Sequence, residues 1–241
     1  MEKIILCYSK TPIINLKEQN KSLLTCLQKA KKIRHLASHG VYFPINLDRF
    51  GFEPFPSYLG SFPQLESLTL RFLPFDSSFE LHLMLKGIAA AKSLKSLDLS
   101  LSGNENFKQD NDINENSIEL IRGDSKLREL SLKLDTIPLH PVLNFIGLQN
   151  KLNSLELKIS TTRKEQGFYL DNQSSKQLMN TLDKLHIIEK FQLKTDLGDL
   201  EESELNSFID FLGLKKYKYC TVESEKTREK IFNIIQRNIR L

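Results

Sequence analysis

The pattern apolar-x-x-apolar-x-apolar constrains this chain more than any other feature of its sequence. It is clean at Leu65-Leu68-Leu70, Leu94-Leu97-Leu99, Leu127-Leu130-Leu132 and Leu152-Leu155-Leu157. Weaker copies stand at Ile188-Phe191-Leu193 and Leu214-Tyr217-Tyr219, and a degenerate one begins at Ile33 and Leu36. The copies return every 30 residues or so, roughly the length of one stacked supersecondary unit.

Within each copy the apolar positions alternate. In an extended segment, alternate side chains share one face. Leu97, Leu99 and Leu101 therefore point together, as do Leu130, Leu132 and Leu134, and Leu155, Leu157 and Ile159. A strand this short is not stable alone. Stacked in parallel on its neighbours, it buries one continuous apolar ridge. The 41 leucines supply that ridge, and a hydrophobic fraction of 40% excludes a disordered chain.

Segments with helical spacing lie between the strands. One runs from Phe79 to Ala89, with Ser77 and Ser78 as candidate caps. Others cover Ser22–Lys31, Ile113–Ile121, Pro141–Leu148, Ser174–Leu185 and Glu202–Leu212. In the last, Leu205, Phe208, Ile209 and Leu212 follow a single helix face. Pro141 suits a first helical turn. Strand and returning helix, repeated, predict an α/β fold with a parallel sheet and right-handed crossovers.

In these motifs the chain resembles the leucine-rich repeat family, in its longer-repeat class with helices on the convex side. The resemblance covers about Ile33 to Val222. It implies a curved right-handed solenoid with a parallel sheet on the concave face. The family also places a short hydrogen-bonding residue three positions past the last leucine. Ser102, Asp135, Ser160 and Asp196 stand there, while Leu73 and Val222 depart from the pattern. The expected organisation is one domain over 1–241. Residues 1–32 form an N-terminal cap strand and helix, 33–222 about seven repeats, and 223–241 a C-terminal capping helix carrying Phe232, Ile235 and Ile239 on one face. No further segment is recognised at either end.

In such a solenoid the residues between the inward leucines face solvent and carry the function. The charged and amide positions among them are Arg71, Asp98, Glu129, Lys133, Glu156, Lys158, Lys190, Gln192, Lys194, Lys216 and Lys218. Lysine dominates toward the C-terminus, where Lys158, Lys190, Lys194, Lys216 and Lys218 would form a basic patch suited to an acidic partner. Cys220 is expected on the same face as a lone thiol; Lys216 and Lys218 stand near enough in sequence to lower a thiol pKa, but no reactivity is assigned to it. A second candidate is the proline-punctuated stretch Val41–Pro63, where Phe52 and Tyr58 are possible aromatic anchors. Its other reading is aromatics that fill the core. The polar stretch Ser102–Asn116 is expected to be a mobile loop. Its Asp110-x-Asp112-x-Asn114 start lacks the glycine and the final glutamate of a calcium loop.

Other classes find little support. The three cysteines are scattered and form no CxxC pair, so neither a disulfide framework nor a zinc site is expected, and a reducing compartment is. No apolar run is long enough for a signal core or a membrane span. A net charge of +4 is too mild for a nucleic-acid binder. No nucleophile elbow, phosphate loop or metalloprotease motif is found. The expectation is a cytoplasmic, non-enzymatic interaction module or adaptor without cofactor or metal, binding a protein partner through its concave face. A constitutive subunit of a larger assembly is one alternative. A bacterial effector secreted into a host cell to act on host proteins is another.

Overall fold

The computed structural model describes residues 2–7, 25, 29, 32–39, 59–108, 126–160, 170–195, 200–224 and 230–235. The chain divides into two compact α/β units, Met1–Leu127 and Arg128–Leu241. Four helices lie among the described residues.

The first unit contains β1 (Lys3–Cys7), β2 (His35–His39), β3 (Ser67–Ser77), α1 (Ser78–Ala90) and β4 (Ser96–Lys108). Its four strands run parallel in chain order. Leu36, Leu68 and Leu97 align across the sheet, and all are buried. In the next inward row Ser38 aligns with Leu70 and Leu99. Its hydroxyl is buried without a hydrogen-bond partner among the described residues. Helix α1 starts where Ser77 stops the extended backbone and its Oγ accepts from the Glu80 amide at 3.4 Å. It buries Leu81, Met84, Leu85 and Ile88, each worth about 1.5–3 kcal/mol of transfer energy.

Strand β4 runs through Lys108, so Ser102–Lys108 is not the loop expected from its polarity. The cause lies on the neighbouring strand. After an irregularity between Leu70 and Leu73, β3 continues as a pairing edge, matching Leu73 with Leu101 and Phe75 with Gly103. Backbone hydrogen bonding of this kind does not need apolar side chains. The remainder of the stretch, with Asp110, Asp112 and Asn114, lies outside the described residues, as do the helix expected over Ile113–Ile121 and most of that over Ser22–Lys31.

The second unit contains β5 (Glu129–Asp135), α2 (Leu139–Gly147), β6 (Ser154–Ser160), α3 (Asn172–Lys184), β7 (Lys190–Thr195), α4 (Glu202–Leu214), β8 (Tyr219–Ser224) and β9 (Lys230–Ile235). Strands β5 to β8 are parallel in chain order. Helix α3 packs on α2 and on α4. It opens with a capping box: Asp171 Oδ1 accepts from the Ser174 amide at 2.7 Å, and Ser174 Oγ accepts from the Asp171 amide at 2.9 Å. Leu130, Leu155 and Phe191 form one buried row, and Leu132, Leu157 and Leu193 the next.

One backbone device sets the phase of the strands in both units. The carbonyl of the residue just ahead of a strand accepts two amides from the start of the following strand. In the first unit, Glu2 O takes Arg34 N and His35 N, Arg34 O takes Glu66 N and Ser67 N, and Glu66 O takes Lys95 N and Ser96 N. In the second, Arg128 O takes Asn153 N and Ser154 N, Asn153 O takes Glu189 N and Lys190 N, and Glu189 O takes Lys218 N and Tyr219 N. The side chains of this column also pair, with Lys95 Nζ 3.2 Å from Glu66 Oε1 and Lys218 Nζ 2.8 Å from Glu189 Oε1.

Two expectations for the C-terminal part change. The last copy of the motif is Tyr217-Cys220-Val222, not Leu214-Tyr217-Tyr219, because Phe191 aligns with Cys220 and Leu193 with Val222. All three residues are buried, whereas Leu214 ends α4 and is 85% exposed. The C-terminal capping helix is absent over Lys230–Ile235, where β9 lies antiparallel to β8. The free edge of β8 offers backbone partners there, and Ile231, Ile234 and Ile235 favour extended backbone.

Candidate functional site

On the open side of the second unit's sheet, the residues between the buried ones fall into rows across the strands. The first row is Glu129, Ser154, Lys190 and Tyr219. The second is Ser131, Glu156, Gln192 and Thr221. The third is Lys133, Lys158, Lys194 and Glu223. Asp135 and Ser160, two of the short polar residues that follow the leucines, align beyond it.

The third row sets the electrostatics. Neighbouring strands lie about 4.8 Å apart, so side chains in register on one face are immediate neighbours. Lys133, Lys158 and Lys194 therefore form a line of positive charge. Glu223 closes it, with its Oε2 3.8 Å from Lys194 Nζ. The acids Glu129 and Glu156 stand nearer the strand starts, where Lys190 is also found, so charge there is mixed while the third row is predominantly basic. Ser131 Oγ donates to Glu156 Oε2 at 3.5 Å. Gln192 Nε2 donates to Tyr219 Oη at 3.3 Å, and Lys190 Nζ lies 6.0 Å from the Tyr219 ring centroid.

Glu156, Lys158, Gln192, Lys194, Thr221 and Glu223 line a shallow depression of about 90 Å³ whose floor includes Leu157 and Leu193. Thr221 is buried, and its hydroxyl has no hydrogen-bond partner among the described residues. Just past the row, Thr136 has a positive φ of 54°. A β-branched residue rarely adopts that conformation, and its Oγ1 donates to the Asp135 carbonyl at 2.7 Å.

The structure brings together Glu129, Lys133, Glu156, Lys158, Lys190, Gln192 and Lys194 on this face. Lys216 and Lys218 do not join them. Both precede β8, and Lys218 is bonded to Glu189 in the carbonyl column. Arg71 and Asp98 belong to the first unit, where they bond to each other at 2.9 Å. Phe52 and Tyr58 lie outside the described residues. Phe62, from the same aromatic stretch, is buried. Sequence reasoning missed Tyr219, Thr221 and Glu223. The available signal was the spacing Tyr217-x-x-Cys220-x-Val222, which matches the motif once tyrosine and cysteine count as apolar.

Cys220 is also corrected. It points inward, is fully buried, and burial pushes its thiol up to about 12. The neighbouring Tyr217 ring stacks on Phe191 at 5.9 Å, and burial, with smaller contributions from Cys220 and Asp183, pushes its hydroxyl up as well. Neither group offers a nucleophile at neutral pH. Among the described residues, no cluster of three His, Cys, Asp or Glu side chains could hold a metal ion, and no helix is long and apolar enough to cross a membrane. What the open face presents is charge and hydrogen-bonding groups in shallow relief.

In comparison with known proteins, no family model matches the chain and no curated protein matches it in sequence.

Proposed function

We propose that this chain is a leucine-rich repeat solenoid working as a non-enzymatic adaptor, which binds a protein partner with an acidic surface through the open sheet face of its C-terminal unit. The observation that carries the reading is the in-register row Lys133, Lys158, Lys194. Like charges directly opposite on adjacent strands disfavour the sheet, on the order of 0.2–1 kcal/mol per pair. Lys133 adds its exposed charge to this row, and partner carboxylates would offset the repulsion. They would also steer the encounter, because the row acts as one extended charge. The repeat assignment is supported by the aligned leucine rows and the shared-carbonyl column. A reducing intracellular compartment suits the free thiol of Cys220.

The test is affinity capture from the native source with the wild-type chain and a Lys133→Glu/Lys194→Glu variant side by side. A partner recovered by the wild type, released by salt and lost with the variant is the expected result. Equal recovery by both proteins would remove the lysine row from the reading.

A further inference from the structure

The spacing of the lysine row says what kind of acidic segment fits it. Lys133, Lys158 and Lys194 sit on three successive parallel strands in strict register. At about 4.8 Å per strand, the row runs perpendicular to the strands and spans about 10 Å. An extended segment laid along it would present same-side residues about 6.6 Å apart, so three of them would span about 13 Å and drift out of step. An α-helix laid along it presents residues i, i+3 or i+4, and i+7 on one face. At 1.5 Å rise per residue the outer two lie about 10.5 Å apart. The helix follows the backbone spacing of the row more closely than the extended segment does.

The fourth position in the row reverses the charge. Glu223 follows Lys194 and already holds it at 3.8 Å. A helix continuing past Lys194 must therefore place a base, not an acid, about one turn further on. The depression between β6 and β8 lies beneath the Lys158–Lys194 part of the row, with Gln192 and Thr221 among the residues that line it.

We infer that the partner element is an α-helix lying across β5 to β8. It carries Asp or Glu at i, i+3 or i+4, and i+7, with Lys or Arg at i+10 or i+11. The inference rests on the reading of the open face as a partner surface, and it specifies the secondary structure and charge order of what docks there.

Fluorescence anisotropy with the full chain tests it against three probes. The first is a lactam-bridged helical peptide with that charge order. The second is a Thr- and Val-rich peptide of equal charge, with its acids at alternate positions in an extended chain. The third is a single-stranded oligothymidylate. The helical probe is expected to bind best at low salt, and Lys133→Glu/Lys194→Glu to weaken it about tenfold, since each exposed charge pair is worth a few-fold in affinity. Glu223→Gln is expected to tighten, by about threefold, a helical probe lacking the terminal base, because it frees Lys194 from competition. A gain of this kind is not produced by misfolding. Equal or tighter binding of the extended peptide would overturn the helix and leave the acidic-partner reading standing. Failure of both peptides would overturn the two together. Tightest binding by the oligothymidylate would replace both with a polyanion site.

Discussion

Lys133 stands in register with Lys158 on the adjacent parallel strand, both side chains on the open face. Lys133 is exposed, so its charge contributes repulsion without a compensating burial. Lys133→Glu converts that pair to an attractive one. Stability to urea is expected to rise by about 0.2–1 kcal/mol while affinity for an acidic partner falls. A variant that loses both would show that the lysine supports the fold rather than the binding surface.

Cys220 gives a prediction of opposite character. Its thiol is buried, with a pKa raised from 9.0 to about 12, so iodoacetamide should label it at neutral pH only after unfolding. The raised value also sets the sign of the pH dependence. The folded state keeps the proton that the unfolded chain loses, so this contribution to stability is complete below pH 9 and declines as pH rises toward 12. Tyr217 shifts in the same direction and adds to the decline. Denaturation melts between pH 8 and pH 11 would measure it, and a flat profile would contradict the burial of both groups.

The capping box at the start of α3 is a local contribution. Asp171→Ala removes the acceptor for the Ser174 amide. The loss is expected to be about 1 kcal/mol, read as a lower urea midpoint with an unchanged slope. Asp171→Asn should recover most of it.

At the other end of α4, Gly213 has no atom within 4 Å of the position a Cβ would take. Gly213→Ala is expected to raise stability by about 0.5–1 kcal/mol, through the lower helix propensity of glycine alone. A thermal melt checks it, and destabilisation would mean that a neighbour closes on this helix end.

The leucine rows were legible in the sequence because burial in a strand repeats every second residue, a purely local signal. Leu130, Leu132 and Leu134 could be assigned inward from their own segment. The last repeat was not, because Leu214 and Tyr217 satisfy the same spacing as Tyr217 and Cys220. Only the packing around the end of α4 distinguishes them. The apolar spacing alone starts α3 at Ser174, whereas Asp171 and Ser174 satisfy each other's orphan donors and start it at Asn172. The stripe Phe232, Ile235 and Ile239 suits a helix when read alone, but the open edge of β8 gives this segment a pairing partner that no local pattern records. The individual lysines were readable, yet their alignment into one row was not. Alignment depends on the phase between strands, which the shared carbonyls fix over long sequence distances.

Those carbonyls separate two properties that linear sequence joins. Each strand start is tied to the strand before it, not to the segment that leads into it. Asn153 and Glu189 are 36 residues apart and Arg128 and Asn153 only 25, yet both strands begin in the same phase. The phase of the charge row is therefore set by the strand ladder and not by the length of the connections.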